Sequence, residues 1–402
     1  MLQMIFDRAL EAVDGRTAVH AALQRSGVSG PVVLIAVGKA AQAMTEGACD
    51  ILGTQIRGGL VVSKAGHLLP SRLSAVGLDG VIGGHPVPNL GSLEAGRRLL
   101  DTVAGAGDAS LLFLISGGAS SLVEVPAGGL GLAELERLNG WLLGSGLPID
   151  AMNRVRKAVS RIKGGGLLTF VQGRRLRALA ISDVPADEPR VIGSGLLVPE
   201  PDLAVELQKL DLPAWLRLWV EAGLAERSGI PQHGPTVELV ATLAKAKGAA
   251  AAAGKEMGLV VRCHDAFVAG DAAERGRDLA RLLLEGPAAL HVWGGETTVR
   301  LPEHPGRGGR NTHLAMAAAQ ELAGREDCFL LSAGTDGTDG PTEDAGALVD
   351  GGTVQRAALD GFNPEEALRL ADSGTLLEAS GDLIQTGPTG TNVMDLILGL
   401  KR

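Results

Sequence analysis

The feature that most constrains this chain is a local pattern that recurs along its length. A short run rich in Val, Ile and Leu ends abruptly in Gly, Ser, Asp or Lys, and a helix-like segment often follows. Residues 31–37 lead into Gly38-Lys39-Ala40, and 111–115 into Ser116-Gly117-Gly118-Ala119-Ser120. Residues 177–181 lead into Ser182-Asp183, 290–293 into Gly294-Gly295-Glu296, and 328–331 into Ser332-Ala333-Gly334-Thr335-Asp336. Short, near-continuous apolar runs suit strands buried on both faces of a parallel sheet. Ligands of such sheets bind at the carboxyl ends of the strands. The pattern predicts an α/β fold with mainly parallel sheets and a site built from polar strand ends.

Helical periodicity fills the gaps, over 40–52, 93–103, 133–143, 237–257, 272–284, 312–322 and 365–371. At roughly 150 residues per domain, 402 residues suggest two domains. The segment 225–236 carries Ser228-Gly229, Pro231, His233-Gly234 and Pro235, which break periodicity. A boundary there predicts domains at 1–230 and 231–402.

Charge narrows the partners. A net charge of −9 argues against a nucleic-acid surface, which needs a positive field. It leaves room for an anionic small molecule in a local basic pocket. No apolar stretch approaches the roughly 18 residues of a membrane span. The start of the chain lacks a basic segment followed by an apolar core and a cleavage site, so a cytoplasmic protein is expected. Cys49, Cys263 and Cys328 lie far apart, which fits a reducing compartment and argues against a zinc site. The 58 glycines are about twice the usual rate of roughly 7%, and their positions decide whether they mark tight turns or phosphate loops.

Several fall beside chemistry. Gly38-Lys39 opens a helix, where amide groups and an ammonium together favour an anion, with a solvated lysine in a tight turn as the plainer alternative. It is not a Walker A loop, because Val33 and Ala40 stand where Gly and Ser or Thr belong. In Ser116-Gly117-Gly118-Ala119-Ser120, glycines allow close backbone approach and hydroxyls add donors. No serine there has glycine at both ±2, so phosphate or carboxylate binding is favoured over a serine nucleophile, with a tight turn as the plainer alternative. The basic segment Asn153-Arg154-Val155-Arg156-Lys157 and Lys163 could form a solvated face or line an anion pocket. Asp183, Glu296, Asp336 and Asp339 follow strands, where carboxylates cap loops or hold Mg²⁺ with substrate phosphates. Arg307 and Arg310 flank Gly308-Gly309 at a helix start with Asn311 as its expected N-cap, an arrangement suited to carboxylate or phosphate. Gly387-Pro388-Thr389-Gly390-Thr391-Asn392 offers a turn or a further anion loop. His85 sits in a Pro-rich loop and is more simply structural.

Taken in order, these segments resemble the class II glycerate kinases, the glycerate 2-kinase family whose C-terminal part is called MOFRL. The resemblance runs from Val37-Gly38-Lys39-Ala40-Ala41 through Gly84-His85-Pro86-Val87-Pro88, Ile115-Ser116-Gly117-Gly118 with Ser120, and Val155-Arg156-Lys157 with Ile162-Lys163-Gly164-Gly165. It continues through Ile181-Ser182-Asp183-Val184-Pro185, Gly294-Gly295-Glu296-Thr297-Thr298, Arg307-Gly308-Gly309-Arg310-Asn311, Gly334-Thr335-Asp336-Gly337-Thr338-Asp339-Gly340 and Thr386-Gly387-Pro388-Thr389-Gly390-Thr391-Asn392. It implies two α/β domains, the first Rossmann-like, with the active site in the cleft between them. It implies phosphorylation of D-glycerate to 2-phosphoglycerate with ATP and Mg²⁺, by a monomer or homodimer. On that resemblance Lys39, Arg310 and Asp183 are the catalytic candidates, and Asp183 and Asp336 the metal candidates. Gly38, Ser116, Gly117, Gly118, Ser120, Lys163, Glu296, Arg307, Thr335, Thr389, Gly390, Thr391 and Asn392 are expected to bind substrate or nucleotide. Ala119, Ala158 and Asn89 depart from the residues relatives usually show at those places.

Two other functions compete. An NAD(P)-dependent hydroxypyruvate reductase would use the same acid backbone, but its G-x-G-x-x-G turn is not found after a strand. A non-catalytic sensor of small acids would keep the pocket but not need Lys39.

Overall fold

The structure, a computed structural model, describes residues 1–171 and 173–402. It divides into two compact units, one of Gly15–Val240 and one of Met1–Asp14 with Ala241–Arg402.

The first unit holds strands β1 (Val32–Val37), β2 (Ile56–Ser63), β3 (Asp79–Ile82), β4 (Ser110–Ile115), β5 (Leu176–Ile181) and β6 (Val237–Ala241). Their order in the sheet is β3-β2-β1-β4-β5-β6. The pairs β2/β3, β1/β2, β1/β4 and β4/β5 are parallel. Every residue of β1 and β4 is buried, which explains their unbroken apolar runs. The strand order reverses between β1 and β4, and such a switch point opens a crevice at the carboxyl ends of the strands. Gly38-Lys39 and Ser116-Gly117-Gly118 both emerge there.

The other unit holds β7 (Val261–Asp271), β8 (Ala289–Thr298), β9 (Cys328–Gly334), β10 (Gly346–Asp350), β11 (Leu383–Ile384) and β12 (Asp395–Lys401), in the order β11-β10-β9-β12-β8-β7. This sheet is mixed rather than mainly parallel. β7 and β8 run parallel, while β12 is antiparallel to both of its neighbours, β8 and β9. The physical cause is the return of the chain end into the middle of the sheet. β12 brings its first residue, Asp395, opposite Gly295 and Gly334, at the carboxyl ends of β8 and β9.

The two units differ from the expected domains at both ends of the first one. The contact boundary lies at 240/241, because 237–241 form edge strand β6 and the helix expected over 237–257 is confined to Leu243–Glu256. Thr242 caps that helix through its side chain. The N-terminal helix Leu2–Val13 belongs with the C-terminal residues. Its stripe of Leu2, Ile5, Phe6 and Ala9 packs on Ala250, Ala253, Leu290, Leu331 and Leu398. Each large apolar side chain so buried contributes about 1.5–3 kcal/mol. On the opposite face, helices Ala272–Glu285 and Arg310–Leu322 bury Leu279, Leu283, Leu314 and Leu322 against Trp293, Leu330 and Ile397. Among the described residues no helix is long and apolar enough to cross a membrane.

Candidate active site

At the switch point of the first sheet the turn after β1 is locked to the turn after β4. Lys39 N–H donates to Gly117 O at 2.8 Å, and Ala40 N–H to Ser116 Oγ at 3.0 Å. Gly38 has φ +134, and a Cβ there would lie 2.1 Å from Ser116 Oγ, so only glycine permits this approach. Ser116 is fully buried, and its hydroxyl oxygen shapes the turn. Gly118 adopts the left-handed conformation, with φ +83. A Cβ on it would meet His85 Cδ2 at 2.9 Å and Lys39 Cγ at 3.5 Å. Lys39 and His85 therefore flank the bare backbone of Gly118.

Beyond Gly118 lies a cavity of about 250 Å³, lined by His85, Ser120, Glu124, Asn139, Asn153, Arg156 and Lys163 on its polar side. Pro88, Leu135, Leu138 and Val159 form its apolar wall. Ser120 Oγ and Ser194 Oγ share a 2.7 Å hydrogen bond. Lys163 is buried in an ion pair with buried Glu124, whose Oε1 also accepts from Ser160 Oγ at 2.6 Å and Val125 N–H at 3.0 Å. Lys163 thus meets the cavity with its charge already matched. Arg156 does not. Its Nε donates to Asn139 Oδ1 at 3.2 Å and its Nη1 to Asn153 Oδ1 at 3.0 Å. Both partners are neutral, and burial pulls the guanidinium below its ordinary value. Arg156 belongs to the basic segment 153–157, for which the sequence leaves a solvated face and an anion pocket both open, and the structure turns it to the cavity beside His85, which reads as structural from its Pro-rich loop. Lys157, the neighbour, is buried instead against Glu200. Asp183 lies half-buried just past β5.

A second cluster belongs to the other unit. Arg310 Nε and Nη2 grip Asp395 at 2.6 and 3.1 Å, and Nη1 reaches Glu296 at 2.8 Å. Three of the five guanidinium N–H groups are so engaged, which leaves two. Burial acts to lower the Arg310 pKa, but Asp395, Glu296 and Asp339 outweigh it and hold the value above that of an ordinary arginine. Asn311 is not the N-cap. The helix starts at Arg310, and the buried Asp339 carboxylate reaches across to accept Asn311 N–H at 2.9 Å and Thr312 N–H at 2.8 Å. Burial pushes Asp339 up to about 6, against those hydrogen bonds.

The remaining loop residues are largely engaged. Thr335 Oγ1 donates to Met394 O at 2.6 Å and accepts Val393 N–H at 2.8 Å. Thr389 Oγ1 donates to Thr335 O at 2.5 Å, tying the 387–392 loop to the turn after β9. Gly390 lies in that tied loop, and Asn392 is buried within it. Asp336 Oδ1 accepts both the N–H and the hydroxyl of Thr338 at 3.0 Å. Arg307 is clamped by Asp344 at 2.7 Å and Glu378 at 2.5 Å. Thr391 Oγ1 is buried and has no hydrogen-bond partner among the described residues. Such a group costs about 1–3 kcal/mol, which a bound polar group would offset. Asp395, the main partner of Arg310, was not foreseen; it stands 85 positions away, at the start of an apolar run.

Fold and site together define an α/β protein with polar and charged residues gathered at its strand ends. Residues 1–212 match the family described as a domain of unknown function (DUF4147), and 289–395 match the MOFRL family. D-glycerate 2-kinase of Thermotoga maritima is 38% identical over 98% of this chain and 96% of its own length. A protein of Agrobacterium vitis, provisionally named hydroxypyruvate reductase, is 36% identical over 98% of this chain and 93% of its own. The crystal structure of glycerate kinase from T. maritima superposes with a TM-score of 0.86 at 36% identity, covering 99% of this chain and 98% of that one. The chain belongs to this MOFRL family, which includes the glycerate 2-kinases.

Proposed function

We propose that the chain phosphorylates D-glycerate to 2-phosphoglycerate, using ATP and Mg²⁺. The observation that carries this reading is Lys39 beside the bare Gly118 backbone and the adjoining cavity with Arg156 on its wall, in a chain similar over 98% of its length to a D-glycerate 2-kinase. The 2-hydroxyl oxygen forms the new bond to the γ-phosphorus, the bond to the ADP oxygen breaks, and Asp183 accepts the hydroxyl proton. Phosphoryl transfer is mostly positioning and charge neutralisation. Lys39 supplies a cation to the phosphates, and the two uncommitted N–H groups of Arg310 supply donors. Glu296 and Asp395 hold Arg310 in place, so the cluster as a whole carries negative charge.

Among the described residues no group of three or more His, Cys, Asp or Glu could hold a metal ion. Mg²⁺ keeps several waters and takes one or two carboxylates plus phosphate oxygens. Each unit offers one candidate carboxylate, Asp183 in the first and, in the other, Asp336, one oxygen of which is steadied by Thr338. Bound to either, Mg²⁺ would neutralise charge on the phosphate oxygens. Thr335, Thr389, Gly390, Thr391 and Asn392 are assigned to the nucleotide, with the orphaned Thr391 hydroxyl as its contact.

The test is phosphorus NMR of the purified protein with Mg-ATP and D-glycerate. Growth of 2-phosphoglycerate and ADP, lost in Lys39→Ala with cooperative folding retained, is the expected result. Intact ATP, with NADH oxidised on adding hydroxypyruvate, would replace the kinase by a reductase.

A further inference from the structure

We infer that Arg156 is the carboxylate receptor for the small hydroxy acid, and that the cavity before it is a dedicated acid subsite from which the nucleotide is excluded. The inference rests on the phosphoryl-transfer reading above. Its first support is charge. Among the cations lining the cavity, Lys163 is neutralised by Glu124, whereas Arg156 has only two amide oxygens for partners. Among the described residues no carboxylate pairs with Arg156, although it is half-buried. A desolvated guanidinium without a counter-ion favours an anion, and its planar fork matches a carboxylate bidentately.

The second support is size. Pockets for drug-sized ligands run to about 300–1,000 Å³. A cavity of about 250 Å³ suits a three-carbon acid and is too small for a nucleoside triphosphate. The third is the arrangement of the walls. Asn139 and Asn153, on the same cavity wall, accept from Nε and Nη1 of the guanidinium, so its orientation is fixed before any ligand arrives. Ser120 lies on the same wall, and Gly118, flanked by His85 and Lys39, closes the side toward the proposed phosphate site. A carboxylate seated on Arg156 places the hydroxyl on the adjacent carbon nearest the receptor. The hydroxyl one carbon further stands at a different depth. Arg156 therefore selects for the acid and for the position phosphorylated.

The experiment compares the wild-type protein with Arg156→Gln and Asn139→Asp, using D-glycerate and its neutral amide, glyceramide. Arg156→Gln is expected to raise KM for D-glycerate about 100-fold or more, since sites built around a polar group reject ligands that leave it unpaired. KM for ATP should stay within twofold. The preference for D-glycerate over glyceramide should collapse, and 3-phosphoglycerate should appear among the products. A merely structural role for Arg156 would move neither the preference nor the product ratio. Asn139→Asp keeps the arginine and gives it an internal counter-ion, so it should also raise KM for D-glycerate while the fold stays intact. Calorimetric binding of D-glycerate without nucleotide separates the two readings. Binding that depends on Arg156, in a protein that transfers no phosphate, would uphold the subsite and sink the kinase reading. Turnover in which both variants keep KM within twofold of wild type would overturn the subsite alone.

Discussion

The ion pair of Lys163 and Glu124 provides a stringent test of how the cavity is supported. Both side chains are about 97% removed from solvent, with 3% of each left exposed. Glu124→Gln keeps an oxygen for Ser160 and for the Val125 amide but removes the counter-charge of Lys163. Breaking a buried pair from one side costs about 3–5 kcal/mol, because a charge is left in a poorly solvating place. A buried ammonium can escape by shedding its proton; from an ordinary lysine value near 10.4, at pH 7, that costs about 4.6 kcal/mol, which caps the penalty. At about 2–4 °C per kcal/mol for a unit of this size, the midpoint should fall by about 6–18 °C. Thermal unfolding followed by tryptophan fluorescence is well matched to the question. Trp141, Trp215 and Trp219 all lie in the first unit, so the signal reports mainly on the part that is perturbed. The double variant Glu124→Gln with Lys163→Met removes both charges and should recover most of the loss. A single variant within about 1 kcal/mol of wild type, or a double variant as unstable as the single, would refute the argument.

Gly38→Ala should destabilise the first unit by about 2–4 kcal/mol and abolish turnover, because a Cβ 2.1 Å from Ser116 Oγ forces the two turns apart; an unchanged midpoint in calorimetry would contradict the close packing. Asp339, raised to about 6 from 3.8, makes the folded protein hold a proton that the unfolded chain has released between those values. Its stabilising contribution is therefore full below about 3.8 and lost as pH rises through about 6. Carbon-13 NMR of the side-chain carboxyls should show a titration near pH 6 that is missing in Asp339→Asn, and a spectrum with no carboxyl midpoint above pH 5 would remove it.

What the sequence discloses here is local, and what it withholds is pairing. The strand ends carrying Lys39, Ser116, Asp183, Glu296 and Asp336 are legible because burial on both faces writes a continuous apolar run, and its abrupt end is a property of neighbouring residues. The partners are set by strand order, which no local window contains. Arg310 reads as a free cation in a glycine-rich loop until β12 is inserted between β8 and β9 and delivers Asp395 to it. Lys163 reads as an anion ligand until Glu124, 39 residues earlier, is seen to neutralise it. In the same basic stretch Arg156 looks no different from Arg154, yet Arg154 pairs with Glu200 while Arg156 faces the cavity on amide partners. The consequence is directional. Counting cations along the chain overstates how many await a ligand, because acidic partners from distant segments cancel most of them. Of the arginine and lysine lining the cavity, Arg156 is left with only neutral partners among the described residues, and its charge is the one still to be met there.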